Sequence, residues 1–241
     1  MRLTRANDKA IEYACKVFHY AKITPRNPLG YNIYNGNDEW CGVIVFGYGA
    51  APMIGSPYGL GQGQTIELTR VALNGKQECT SQAVALALKE LKKDCPMVRL
   101  VVSYADIDQD HLGTIYQATN WIYIGETTSG QSHAFIIDGK KIHEKTVRTF
   151  VLKKYPVGTI ENIKKAYHAK SVEKFFTKGK RKYLMPLDKR IRKKILPLAQ
   201  PYPKESADWQ KIDRSQFKKA ETHKTKSIDQ RIEELTASGK L

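Results

Sequence analysis

TIELTRVALNGKQECTSQAVALALKELKKDCPMVRLVVSYADIDQDHLGTIYQATNWIYIGETT, residues 65–128, is the stretch whose reading decides the fold. TIELTRVAL has the apolar alternation of a strand through Ile66, Leu68 and Val71. The loop NGKQEC follows, then a helix capped by Thr80 or Ser81, with Val84, Leu86, Leu88 and Leu91 turned to a core and Lys89, Lys92 and Lys93 at its exit. MVRLVVSYAD reads as a buried, β-branched strand. HLGTIYQATNW predicts a second helix, and YIGETT with SHAFIIDG a strand pair. The order strand, helix, strand, helix, strand places two parallel strands in one sheet, a mixed α/β fold with flanking helices. Ligands in such sheets gather at the carboxyl ends of the parallel strands, here near Asn74 and from Ser103 to Asp106.

Upstream, Asn7 or Asp8 caps a helix running to about Lys22, with Ile11, Cys15 and Phe18 on one face and His19 and Tyr20 at its end. YNIY and EWCGVIVFG, separated by Asn35, Gly36, Asn37 and Asp38, read as a hairpin of antiparallel strands. Six glycines between Gly47 and Gly63, with Pro52 and Pro57, make an irregular stretch, either a substrate-covering loop or a plain crossover.

Charge divides the chain. Residues 1–139 carry 12 Lys+Arg against 13 Asp+Glu, whereas residues 140–241 carry 28 against 11. A near-neutral body followed by a basic segment points to a polyanionic partner, nucleic acid before membrane. The densest runs hold Lys178, Lys180, Arg181 and Lys182, then Lys189, Arg190, Arg192, Lys193 and Lys194. Pro186 and Pro197 interrupt them and no broad apolar face survives, which disfavours a membrane helix. Three regions follow: a catalytic domain over 1–139, a basic DNA-contacting extension over 140–204, and a polar tail over 205–241 with at most one marginal helix. The chain has no apolar run long enough for a bilayer, no signal-peptide core, and four cysteines without a CxxC pair, so a reducing cytoplasm is expected.

The order of elements resembles the GNAT acyltransferases, with Tyr116 where their general-acid tyrosine sits and Thr80 and Ser81 at the helix start that would bind a cofactor. The two glycines of the usual phosphate loop are missing from NGKQECTSQA. ELTRVAL, SYAD and GTIYQATNWIYIG together resemble the phage Mom family, a divergent GNAT branch, over roughly residues 10–204. That resemblance implies conversion of the exocyclic amino group of adenine in double-stranded DNA into its carbamoylmethyl derivative, which shields phage DNA from host restriction. It also implies an iron site at His19, Tyr20, Asp106 and Tyr116, with Arg70 and Ser81 tied to activity.

Read without it, His19 is an ordinary helix-end histidine, and His111 or His133 could replace it as a ligand. Arg70 either neutralises Glu67 or holds an anionic group. Glu39 is a carboxylate that could deprotonate the amine; Asp108 and Asp110 read as helix-capping loop residues. Tyr48, Tyr58 or Tyr104 could stack on an extruded base, and Trp40 and Trp121 belong to the core. An acyl-CoA-dependent N-acetyltransferase and a non-catalytic nucleic-acid-binding protein are the rival functions. Small-molecule donor and oligomeric state stay open.

Overall fold

The structure is a computed structural model that describes residues 1–49, 53–127, 133–176 and 178–204. The polar tail and Pro52 lie outside the described residues. The chain divides into two compact units, one of residues 1–104, 112–125 and 182 onward, the other of 105–111 and 126–181. The boundary read at residue 139 thus falls inside the second unit.

In the first unit, β1 (Arg2–Arg5), a strand with no signal in the sequence reading, pairs antiparallel with β2 (Leu29–Tyr34), and β2 with β3 (Trp40–Gly47). Asn35 closes the expected hairpin: its side-chain carbonyl accepts from Asn37 N and Glu39 N. Between β1 and β2 lies α1 (Asp8–Val17), whose Asn7 cap accepts from Ala10 N at 2.8 Å. It ends before Lys22, so His19 and Tyr20 stand in the turn beyond it. Its apolar stripe of Ala10, Ile11, Ala14 and Cys15 is buried with Val43, Val45 and Ala72. β3 pairs antiparallel with β4 (Thr65–Leu73), and β4 parallel with β5 (Leu100–Asp106).

α2 (Thr80–Asp94) crosses between β4 and β5 and takes Cys79 as its N-cap; Thr80 and Ser81 stand in its first turn, contrary to the expected cap. The second helix, α3 (Thr114–Gln117), is a single turn, because Asn120 adopts a left-handed conformation and Trp121 N bonds back to Tyr116 O. β6 (Ile122–Glu126) follows. The glycine-rich stretch forms short 3-10 turns at Ser56–Tyr58 and Gln62–Gln64. Trp121 is fully buried, and Trp40 donates to buried Asn32 at 3.0 Å, which places both in the core as expected.

The second unit holds a three-stranded sheet in the order β8, β7, β9, from β7 (His133–Ile137), β8 (Lys140–His143) and β9 (Val172–Phe176). Two helices, α4 (Glu144–Leu152) and α5 (Ile160–Tyr167), bury Val147, Val151, Ile163 and Ala166 with Phe135 and Ile137.

β10 (Lys180–Pro186) then joins the seven-stranded sheet, ordered β1-β2-β3-β4-β5-β10-β6, and α6 (Lys189–Ile195) follows it. One expectation is corrected here. β6 and β7 belong to different sheets and do not pair. The basic runs are regular structure: Tyr183, Leu184, Ile191 and Ile195 are buried. Among the described residues, no helix is long and apolar enough to cross a membrane.

Candidate active site

β4 and β5 stay together for only three rungs, Thr65 with Leu100, Ile66 with Val101 and Glu67 with Val102. At the next level a side chain replaces the ladder. Ser103 Oγ lies 2.8 Å from Leu68 O and 2.8 Å from Tyr116 Oη. A carbonyl only accepts, so the serine proton serves Leu68 and the neutral phenol donates to the serine. Gly113, in the left-handed region ahead of α3, packs directly on the ring of Tyr183, where a side chain would collide. Tyr116 is thereby held 5.0 Å, ring to ring, from both Tyr183 and Trp121.

Around this floor stand three further groups. Burial, with Tyr20, Glu67 and Tyr183 nearby, pushes the Tyr116 phenol up to about 12 against the opposing pull of the Ser103 bond. Burial, then Glu67 and Tyr58, pushes Tyr104 up to about 12 as well. The Glu67 charge adds to the rise of both phenols, and both keep their protons at neutral pH. Gly49, at a φ of 70°, lies against the Glu67 carboxylate and leaves no room for a side chain. Tyr20, about half exposed, stacks on His19 with ring centres 4.4 Å apart. Arg70 fastens their turn to β4: its Nε donates to Ile23 O at 3.3 Å and its guanidinium to Thr69 O at 2.6 Å.

So the first unit gathers Tyr20, Glu67, Ser103, Tyr104 and Tyr116, with Arg70 bracing the turn that carries His19 and Tyr20. The sequence reading had named Glu67 only as a neutralising neighbour of Arg70.

Within the first unit, Glu39, Thr80 and Ser81 lie away from this group. Glu39 is at the far end of the β3–β4 ladder, where its carboxylate accepts from Asn35 Nδ2 at 3.1 Å. The start of α2 meets that same turn, since Asn35 Nδ2 also donates to Lys76 O and Gly36 N to Glu78. Thr80 Oγ1 accepts from Gln77 at 2.8 Å, and Ser81 Oγ lies 3.1 Å from Cys79 Sγ, so both hydroxyls serve local bonds. In the second unit, Asp106 caps the turn after β5 by accepting from Asp108 N at 3.0 Å. There Lys178 N donates to Asp108, Lys180 N to Thr127, and Arg181 to His111 O at 2.9 Å. Lys189, Arg190, Arg192 and Lys193 are exposed on α6. The side chain of His133 lies outside the described residues.

Imidazole, carboxylate and phenol are donors of the kind iron takes, so by type His19, Tyr20, Asp106 and Tyr116 fit the metal. Ala21 N donates to His19 Nδ1 at 3.1 Å, which leaves the proton of the neutral ring on Nε2. Ligation requires that bond to break or that proton to leave.

Comparison with known proteins gives two kinds of likeness. Among solved structures, the chain resembles a Bacillus subtilis acetyltransferase in complex with CoA at TM-score 0.39 and 16% identity, covering 78% of this chain and 99% of that one. It resembles a spermidine N-acetyltransferase of Vibrio cholerae at 0.41 and 7%, covering 81% and 98%. In sequence it is 30% identical over 194 residues to the methylcarbamoylase Mom of Escherichia phage Mu, 77% of this chain and 76% of that protein. Residues 2–204 match the Mom protein family along their whole length, and the chain belongs to that family.

Proposed function

We propose that the chain is a DNA-modifying transferase that converts the exocyclic amino group of adenine into its carbamoylmethyl derivative and so protects phage DNA from host restriction. The observation that carries this reading is the buried Tyr116 at the parting of β4 and β5, bonded to Ser103 and held protonated by burial with the charges of Tyr20 and Glu67 adding to it. Adenine's amine is a weak nucleophile whose lone pair is delocalised into the ring, and in a duplex it is stacked and paired. The base must be extruded, and the reaction needs an acceptor for the amine proton and a donor of charge-stabilising protons. Glu67 suits the first role and Tyr116, still protonated at neutral pH, the second. Tyr104 offers a ring to the extruded base. Arg70 acts as a positioning residue through the His19–Tyr20 turn.

The iron that the family resemblance implies takes donors of the kinds found at His19, Tyr20, Asp106 and Tyr116, and would supply a Lewis-acidic, redox-active centre. DNA enters this reading through charge: 20 Lys+Arg stand against 4 Asp+Glu in residues 140–204, among them Lys178, Lys180, Arg181, Lys182 and the cations of α6.

The test is mass spectrometry of nucleosides from the DNA of cells expressing the chain, beside a Tyr116→Phe control. Expected is deoxyadenosine with the carbamoylmethyl increment from the wild-type chain, and at least a ~100-fold smaller yield from the variant. An acetylated amine metabolite with unmodified DNA would move the chain to the N-acetyltransferases.

A further inference from the structure

β10 sets Lys182 and Leu184 on one face of the seven-stranded sheet, and Leu184 is buried with Tyr58, Leu100, Val102, Ile191 and Ile195. Lys182 rides the edge of that cluster, its Nζ 5.3 Å from the centre of the Tyr58 ring. From α6, Lys194 reaches the same turn, and its Nζ donates to Tyr58 O at 2.9 Å. Two ammonium groups from different elements thus meet on one tyrosine. Asp188, the one acid between residues 182 and 204, is bound to Arg99 at 2.7 Å and caps α6. Among the described residues, neither Lys182 nor Lys194 has a carboxylate within 4 Å.

Burial holds the Lys182 ammonium below the usual lysine range. A cation that has given up water without an acid in exchange is a site waiting for an anion. Its location selects the anion. Tyr104 packs against the same cluster as Tyr58, and its phenol feels the Glu67 charge. Lys189, Arg190 and Lys193 are exposed on α6, and among the described residues none of the three donates to the Tyr58 turn. They are placed to attract a backbone, whereas Lys182 is placed to fix one group.

We propose that Lys182 and Lys194, converging on Tyr58, form a phosphate subsite for the nucleotide whose base enters beside Tyr104 and Glu67. The assignment rests on the adenine reading given above. It divides the basic segment into a local clamp on the reacting nucleotide and a general attraction for DNA.

Calorimetry of the full chain with deoxyadenosine, deoxyadenosine 5′-monophosphate and inorganic pyrophosphate tests it. The monophosphate is expected to bind about 10- to 100-fold tighter than the nucleoside, as charge-assisted hydrogen bonds allow. Lys182→Met, which keeps the apolar stem over Tyr58, and Lys194→Gln are each expected to reduce that advantage to a few fold, with nucleoside affinity and Tm unchanged. Lys189→Gln should leave the advantage intact. A wild-type chain that binds nucleoside and monophosphate equally overturns the subsite and leaves the adenine reading standing. Pyrophosphate that binds through Lys182 without displacing the monophosphate assigns the cations to a donor's phosphate and also overturns the proposal. A chain that binds neither adenine compound brings down the adenine reading, and the subsite with it.

Discussion

The two ends of β4 each carry a glutamate close by, and they have opposite characters. At the Leu73 end, Glu39 is bound within the hairpin turn by Asn35, and the start of α2 is stitched to the same turn through Lys76 and Glu78. At the Thr65 end, Glu67 stands on the last rung before β5 departs, and its charge helps hold two phenols protonated. Six residues of strand, about 20 Å, separate Glu67 from Leu73. The difference teaches that a carboxylate gains chemical potential from where a ladder stops. Where pairing is complete, the carboxylate completes a turn.

The most forceful way to break this comparison is to exchange the fates of the two glutamates. Glu67→Gln is expected to cut modified deoxyadenosine by about 10²- to 10³-fold, whereas Glu39→Gln stays within about 3-fold of wild type, a general-base contribution being absent there. Equal losses measured by nucleoside mass spectrometry would erase the distinction. Next in size is Arg70. Its guanidinium holds the Ile23 carbonyl, so Arg70→Gln frees the turn bearing His19 and Tyr20 and should lower turnover about 10-fold, the scale of a small misplacement. DNA affinity should not change, and a loss confined to affinity would make Arg70 a phosphate contact.

The smallest effect on chemistry comes from the joined end itself. Arg99 N donates to Gln64 O, Leu187 N donates to Arg99 O, and the Arg99 side chain is bound to Asp188, so β4, β5 and β10 are sewn together just before the strands part. Asp188→Asn should cost at most about 1 kcal/mol of stability, through loss of the partly solvent-screened Arg99 ion pair, because Asn caps α6 as well as Asp does. Arg99 holds the Asp188 carboxyl below the usual carboxylate range. A lowered folded pKa stabilises above the unfolded value of about 3.9 and is lost as pH falls through the lower folded value. The gap between wild type and variant in urea unfolding should therefore be full at pH 7 and close in acid, with the yield of product per folded molecule unchanged at pH 7.

Local signals made much of the first unit readable. Asn35-Gly36 between apolar alternations announced the β2–β3 hairpin, and the stripe of Ile11 and Cys15 announced α1, because both depend on residues near in sequence. β10 escaped for a physical reason. Lys180, Arg181 and Lys182 set the composition of the run, while the burial that makes it a strand is carried by Tyr183 and Leu184 against partners far away in the chain. Hiding β10 also produced the mistaken pairing of β6 with β7. In the site, the family resemblance supplied Tyr20, Arg70 and Tyr116. Glu67 was hidden by its neighbour: an adjacent Arg suggested a local pair, yet the Arg70 guanidinium goes to the Thr69 and Ile23 carbonyls. A backbone acceptor is invisible in a string of side chains.

The late arrival of β10 also governs how the protein can be made. The seventh strand of the sheet to be synthesised lies between two that emerge some 60 to 80 residues earlier, so β5 and β6 must wait with open edges while the whole second unit leaves the ribosome. Unpaired edges of this kind are templates for association with other chains. A gene fragment stopping at residue 139 would carry every residue of the Tyr20–Glu67–Tyr116 group and still lack the strand that closes the sheet, so it should precipitate. The basic segment is therefore no detachable handle, and a lineage that lost it would lose the strand that closes the sheet along with the charge.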